Sequence, residues 1–461
     1  MSQAENPIIH IIGAGLAGSE AAWQAAQAGC RVRLYEMRPD KTTPVHQTPY
    51  FGELVCSNSL RAAGTGNAVG LLKEEMRRHG SLIMACADQH RVPAGGALAV
   101  DRLGFCQAVT EAICQHPNIT VVKEEVTSLE PWQESGDPLI IASGPLTSDG
   151  LAAEIAKLTK EEYLHFHDAV APIVDMSTIN MNIAFRASRY GRGELEAGDY
   201  INCPMNKEQY LSFYQALVEA ETVPLHDFET EKEFSGCMPI ETMAKKGLDT
   251  IRFGPLKPVG LTDPHQVPDE NGRVREAYAV VQLRQDNAAG TMYNIVGFQT
   301  RLTWPEQRRV FRLIPGLEQA EFMRYGVMHR NTYIQSPKLL SKGLSMQDRP
   351  NIYFAGQITG VEGYIESAAC GMAAGINCAR ATQEQKPLVW PATTALGGLL
   401  RYITTPNADF QPMNVTFGLI EGLGIKVRKK REKNELLAKR SLEDLDAFFA
   451  EQELCFTTDG K

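Results

Sequence analysis

Not one Cys-x-x-Cys pair occurs among the ten cysteines of this 461-residue chain, which argues against both a zinc ribbon and a dithiol redox centre. No apolar run approaches the roughly 18 residues a membrane helix needs. An excess of positive charge is missing too: the chain carries −9, whereas a nucleic-acid-binding domain is ordinarily basic. The opening residues, Met1 to Asn6, have neither the basic nor the apolar character of a secretory leader. No repeat and no low-complexity tract interrupts the pattern. These absences point to a globular enzyme of the reducing cytoplasm, with no metal expected. Hydrophobic residues make up 43% of the chain, ample for packed cores. Its length exceeds the roughly 250–300 residues one core fills, so two or more domains are expected.

What is present begins at Ile8-Ile9-His10-Ile11-Ile12, a short apolar run of the kind that forms a buried parallel strand. Gly13-Ala14-Gly15-Leu16-Ala17-Gly18 follows at once and opens a helix of small residues. Gly13 suits a tight turn, Gly15 a close approach to a pyrophosphate, and Gly18 the packing of helix on strand. The helix N-terminus offers free N–H groups and the positive end of its dipole. Arg31 to Glu36 reads as the next strand, and its terminal Glu36 suits a ribose hydroxyl and would repel a 2′-phosphate. These residues predict a dinucleotide site for NAD or FAD.

The later chain favours FAD. Asn351 to Gly356 reads as another buried strand ending in a glycine turn, and Glu366 to Gly375 as a helix of small residues that lets backbone approach a long cofactor. Leu139 to Pro145 supplies a third strand and glycine turn. This early-plus-late arrangement resembles the glutathione-reductase-like FAD fold. The class expected is therefore α/β: a Rossmann domain from residues 1–185, completed by 331–461, with an α+β substrate domain inserted at 186–330. The insertion is marked by loss of the strand–glycine–helix rhythm and by loop signals around Thr262 to His265 and Pro268 to Gly272.

Cys56 lies in Phe51-Gly52-Glu53-Leu54-Val55-Cys56-Ser57-Asn58-Ser59-Leu60-Arg61, too soon after Glu36 to belong to a separate domain. A thiol beside a redox cofactor serves either redox chemistry or covalent catalysis. Its polar neighbours Glu53, Ser57, Asn58 and Arg61 speak against a core position. Cys237, in Phe234 to Glu241, sits on a turn between Gly236 and Pro239. The other eight cysteines read as small buried hydrophobes.

Gly13 to Glu36, Phe51 to Arg61, Phe234 to Glu241 and Gly356 to Tyr364 together resemble the folate- and FAD-dependent methylenetetrahydrofolate–tRNA uracil-5 methyltransferases of bacteria. The resemblance implies formation of 5-methyluridine at position 54 of the tRNA T-loop, with carbon from methylenetetrahydrofolate, electrons from reduced FAD, and NAD(P)H as reductant. Two cysteines fit that chemistry, because a thiolate must add to uracil C6 and a base must later remove the C5 proton. Cys237 is expected to be the nucleophile and Cys56 the flavin-side partner; the swapped assignment stays open. Glu362 and Tyr364 are expected at the pterin or flavin, as is the group His329, Asn331 and Tyr333. Two rivals remain: a flavoprotein installing carboxymethylaminomethyl groups on wobble uridines, to which Phe51 to Arg61 does not conform, and a flavin reductase that ignores RNA.

The acidic total hides a basic segment. Lys426 to Arg440 holds eight Lys or Arg against Glu432 and Glu435, a footprint suited to RNA phosphates. Smaller groups occur at Arg186, Arg189 and Arg192, at Lys245 and Lys246, and at Arg308, Arg309 and Arg312. Tyr190 and Tyr200 are candidate stacking platforms for bases.

Overall fold

The computed structural model describes residues 7–43, 45–160, 164–223, 238–266, 276–326, 328–407 and 410–452, with side chains at 164–169 and 328–330 outside that description. Its first layer is a five-stranded parallel sheet in the order Ile352–Phe354, Leu139–Ile141, Ile9–Ile12, Val32–Glu36, Ile119–Lys123. The fingerprint strand is central and fully buried, which explains its unbroken apolar run. From it the chain turns first to Val32–Glu36 on one side and later to Leu139–Ile141 on the other. A crevice therefore opens at the carboxyl end of Ile9–Ile12, where α/β sheets bind ligands.

Two long helices cross beneath that crevice. The fingerprint helix, Leu16–Gln27, packs on the late helix, Tyr364–Thr382. A Cβ at Gly371 would overlap the backbone of Ala17, and one at Gly375 the backbone of Ala21. The small residues of the late helix thus serve helix-on-helix contact. Gly371 and Gly375 admit the fingerprint helix, while Tyr364 and Ser367 of the same late helix line the crevice where a cofactor is expected.

A second layer is an antiparallel sheet of six strands in the order Phe185–Ala187, Tyr200–Met205, Ala279–Gln285, Met292–Ile295, Ile173–Asp175, Phe322–Arg324. It has its own core, centred on Tyr210, Phe213, Phe298 and Phe311. One of its strands, Ile173–Asp175, precedes residue 186, the edge expected for the insertion. Three residues are too short to break the strand rhythm in sequence, so this strand was not legible as a change of domain. Antiparallel strands Leu164–Ala169 and Met328–Tyr333 carry the chain out to this domain and back. Among the described residues no helix is long and apolar enough to cross a membrane.

The C-terminal helix, Lys430–Glu451, lies on the Rossmann domain through Leu437, Ala438, Leu445 and Phe448. Buried Glu75 ties three elements together there. Its carboxylate accepts the N–H groups of Ala395 and Leu396 at 2.7 and 2.8 Å, starting one helix, and the hydroxyl of Ser441 at 2.6 Å.

Candidate active site

The crevice is lined by Gly13, Gly15, Leu16 and Ala17, by Glu36 and Arg38, by the turn Ala142 to Ser148, and by Gln357, Tyr364 and Ser367. Gly13 has φ +97° and a Cβ there would stand 2.6 Å from the carbonyl oxygen of Ala142, so only glycine turns the chain this closely. At Gly15 a Cβ would meet no atom within 4 Å; it would point into the crevice and occupy the place of a ligand. Gly15 caps the fingerprint helix without a side-chain bond, which leaves the first N–H groups free for phosphate. A Cβ at Gly18 would overlap the oxygen of Gly13. Gly356, with φ +82°, is held against Ala17 in the same way. The cradle fits a dinucleotide pyrophosphate.

Glu36 stands at the end of its strand, as expected, but is already engaged. It accepts the N–H of Ala14 at 2.9 Å and three N–H groups of Arg38 at 2.8–3.1 Å. Burial would push this carboxyl up, yet the Arg38 guanidinium and these bonds outweigh it and hold Glu36 below the usual range. Four accepted bonds fill a carboxylate's capacity. A ribose hydroxyl on Glu36 therefore has to displace part of Arg38, and the paired charge weakens the argument that Glu36 alone repels a 2′-phosphate. His46, which sequence reasoning passed over, also lines the crevice; burial and nearby Arg38 push it down to about 4.

Glu362 accepts the side-chain N–H of Gln357 at 2.6 Å, and its carbonyl accepts from Asn414. Tyr364 opens the late helix and turns its hydroxyl to the Cys56 loop, accepting the backbone N–H of Cys56 at 2.6 Å and of Ser57 at 3.1 Å. Cys56 is half-buried, and Val55 beside it lines the crevice. Asn58, taken from sequence as a sign of exposure, is fully buried; its amide donates to the carbonyls of Val100 and Gln285. Arg61 pairs with buried Glu366 of the late helix at 2.7 Å. The motif is thus folded into the contact between the two layers.

Cys237 lies outside the described residues, as do the side chains of His329 and Arg330. The described flank of the second cysteine motif is anchored: Glu241 is buried, accepting from the Thr300 hydroxyl at 2.8 Å and the Arg301 N–H at 2.9 Å. Asn331 is fully buried and, among the described residues, neither of its amide atoms has a hydrogen-bond partner; Tyr333 is buried against Phe410. Several cations counted in the sequence make bonds within the fold. Arg186 donates to the hydroxyl of Tyr293, Arg189 to Gln282, Arg308 to Tyr325, and Arg312 to the carbonyl of Ala320. Tyr200 is half-buried with its hydroxyl on Ala94, whereas Tyr190 is 64% exposed and available. Lys430, Arg431 and Lys433 are exposed at the start of the C-terminal helix. Among the described residues no cluster of three or more His, Cys, Asp or Glu is placed to hold a metal.

Residues 8–386 match the family model of glucose inhibited division protein A. The methylenetetrahydrofolate–tRNA-(uracil-5-)-methyltransferase TrmFO of Desulforamulus reducens is 57% identical over 97% of this chain and 98% of its own length. That of Acetivibrio thermocellus is 58% identical over 95% of this chain and 98% of its own. Among solved structures, Aquifex aeolicus GidA superposes with a TM-score of 0.67 at 16% identity, covering 98% of this chain and 77% of that one. The last likeness speaks to fold.

Proposed function

This chain belongs to the family of glucose inhibited division protein A, and within it to the methylenetetrahydrofolate–tRNA-(uracil-5-)-methyltransferases; on that premise we propose that it converts a tRNA uridine to 5-methyluridine with carbon from methylenetetrahydrofolate. The finer reading takes uridine 54 of the T-loop as target, reduced FAD as electron donor, NAD(P)H as its reductant and the cytoplasm as its place. The observation that carries it is Cys56 fixed by Tyr364, which itself lines the dinucleotide crevice.

Gly13, Ala14, Gly15, Leu16, Ala17 and Gly18 would hold FAD at its pyrophosphate, with Glu36 near the ribose and Gly356, Glu362 and Tyr364 toward the flavin. When reduced, that cofactor supplies the electrons that make a methyl group of a methylene carbon. The chain's own residues handle the uracil. Addition of the Cys237 thiolate to C6 makes C5 nucleophilic; once C5 has gained its carbon, a base takes the C5 proton, and the thiolate leaves. Cys56 is the base in this scheme. The target base must be extruded from the folded tRNA elbow to reach either cysteine.

The test uses purified holoenzyme, unmodified tRNA, labelled methylenetetrahydrofolate and NADH or NADPH. Label is expected in 5-methyluridine with wild type, and neither Cys56→Ala nor Cys237→Ala should turn over. With 5-fluorouridine tRNA, a stable adduct should survive Cys56→Ala and vanish with Cys237→Ala. Absence of 5-methyluridine would overturn the reading, and label on a wobble uridine would replace it with the rival.

A further inference from the structure

Three aromatic rings form a ladder on the second domain. Phe322 and Tyr325 lie 5.3 Å apart with planes 14° from parallel, and Tyr325 and Trp304 lie 5.4 Å apart at 15°. The ladder starts where Phe322 packs on Phe311 of that domain's core, and it ends in water. Trp304 is 59% exposed, whereas Trp132 and Trp390 are buried. One face of the Trp304 indole rests on Tyr325; the other lies open. A large ring left in water is costly, and a partner with a flat apolar face relieves that cost.

The ladder is held in place from within. Trp304 opens helix Trp304–Phe311. Buried Gln307 of that helix clamps the turn after Tyr325, donating to the carbonyl of Gly326 at 2.8 Å and accepting its N–H at 2.7 Å. Arg308, one turn on from Trp304, donates twice to the Tyr325 hydroxyl, at 2.6 and 3.1 Å. Arg309 pairs with Glu306, but among the described residues no carboxylate pairs with Arg308. An exposed positive charge therefore stands beside the open indole, which suits a polyanion.

Both cysteine motifs are joined to this ladder. On one side strand Phe322–Arg324 ends on the Cys56 loop, where Arg324 donates to the carbonyl of Val55 at 2.9 Å. On the other, the segment running into Trp304 holds the described flank of the Cys237 motif. There the Gln299 carbonyl accepts the N–H of Ile240 at 2.7 Å, and Glu241 accepts that of Arg301 at 2.9 Å. Trp304 is not among the residues that line the crevice, so a base resting on it is not the one that reacts. A loop that gives up one base to a crevice leaves the neighbouring bases unstacked. Such bases stack readily on an aromatic ring, whatever their identity.

We propose that Trp304, carried on Tyr325 and Phe322, is a stacking platform for a tRNA base flanking the extruded uridine. It holds the loop open while the target enters the crevice. That tRNA is the substrate rests on the proposed function; the stacking does not depend on what either cysteine does.

Binding of unmodified tRNA to holoenzyme is measured by filter binding at several salt concentrations, without folate, so that no turnover contributes. Trp304→Ala should weaken binding about 5- to 100-fold. The slope of log affinity on log salt should not change, because an indole meets no phosphate. Trp304→Phe, which keeps a ring, should stay within about threefold of wild type. An abasic residue is then placed at each T-loop position in turn. In wild type one position beside the target should carry a loss of the same size, and in Trp304→Ala that position should cost nothing further. Equal affinity of wild type and Trp304→Ala overturns the proposal. So does a Phe variant as weak as the Ala variant, a loss that comes with a smaller salt slope, or an abasic penalty that Trp304→Ala leaves intact. Any of these leaves the methyltransferase reading standing, whereas stacking on a tRNA that never acquires 5-methyluridine would sink that reading alone. Melting temperature and flavin absorbance report that each variant keeps the fold.

Discussion

The hydroxyl oxygen of Tyr364 accepts the backbone N–H of Cys56 at 2.6 Å and that of Ser57 at 3.1 Å, across 308 and 307 positions of sequence. Burial, with the Cys56 charge adding to it, pushes this phenol far up, so it stays protonated and keeps its role as acceptor. The first residue of the late helix thereby fixes the backbone of Cys56, next to Val55, which lines the crevice.

Tyr364→Phe leaves two part-buried N–H groups without an acceptor, each worth about 1–3 kcal/mol. Turnover should fall by roughly 10- to 100-fold while FAD remains bound, since the pyrophosphate cradle is untouched. Steady-state rates of 5-methyluridine formation beside the flavin spectrum measure both, and an unchanged rate would sink the assignment.

Gly371→Ala places a methyl group against the backbone of Ala17. Backbone cannot step aside as a side-chain tip can, so overpacking of about 1–3 kcal/mol is expected. A lowered melting temperature and weaker FAD retention should appear together. Loss of FAD with no change in melting would show that the small residues face the cofactor after all.

Burial pushes Glu75 up from 4.5 to about 7, against the pull of Ser441, Ala395 and Leu396. Between those two values the folded chain keeps a proton that the unfolded chain has lost. The resulting stability is complete below 4.5 and is lost as pH rises through about 7. Glu75→Gln removes the titration. Thermal melts at points between pH 4.5 and about 7 should therefore show wild type losing ground to the variant as pH rises. A constant difference would rule out the titration.

Replacing Lys429, Lys430 and Arg431 by alanine should weaken tRNA binding and flatten its salt dependence. If all three meet phosphates, the slope of log affinity on log salt should shrink by about 2 units. Filter binding at several salt concentrations decides it, and an unchanged slope removes the C-terminal helix from the RNA footprint.

The Rossmann layer was legible because local rules suffice for it. A buried parallel strand is an apolar run, a tight turn is Gly13, and a helix packed on a strand requires Gly18; each is dictated within a few residues. The motif around Cys56 was visible for the same reason, as a run of polar residues too close to the fingerprint to be elsewhere. The strand Ile173–Asp175 was not, because three residues carry no period. Nor were Arg102, Arg284, Arg324 and Asp286, which occur in no motif and look like ordinary surface charges along the chain.

By itself, then, the sequence determined the cofactor sheet, its glycine cradle, the cysteine beside it and the family to which both belong. Tertiary structure alone decided what surrounds that cysteine. Arg102 meets Asp286 across 184 positions, Arg284 meets Asn58 across 226, and Arg324 meets Val55 across 269. Backbone preferences extend over a turn or two, whereas buried charges pair wherever the docking of two cores removes water from both, and no short-range pattern records where that happens.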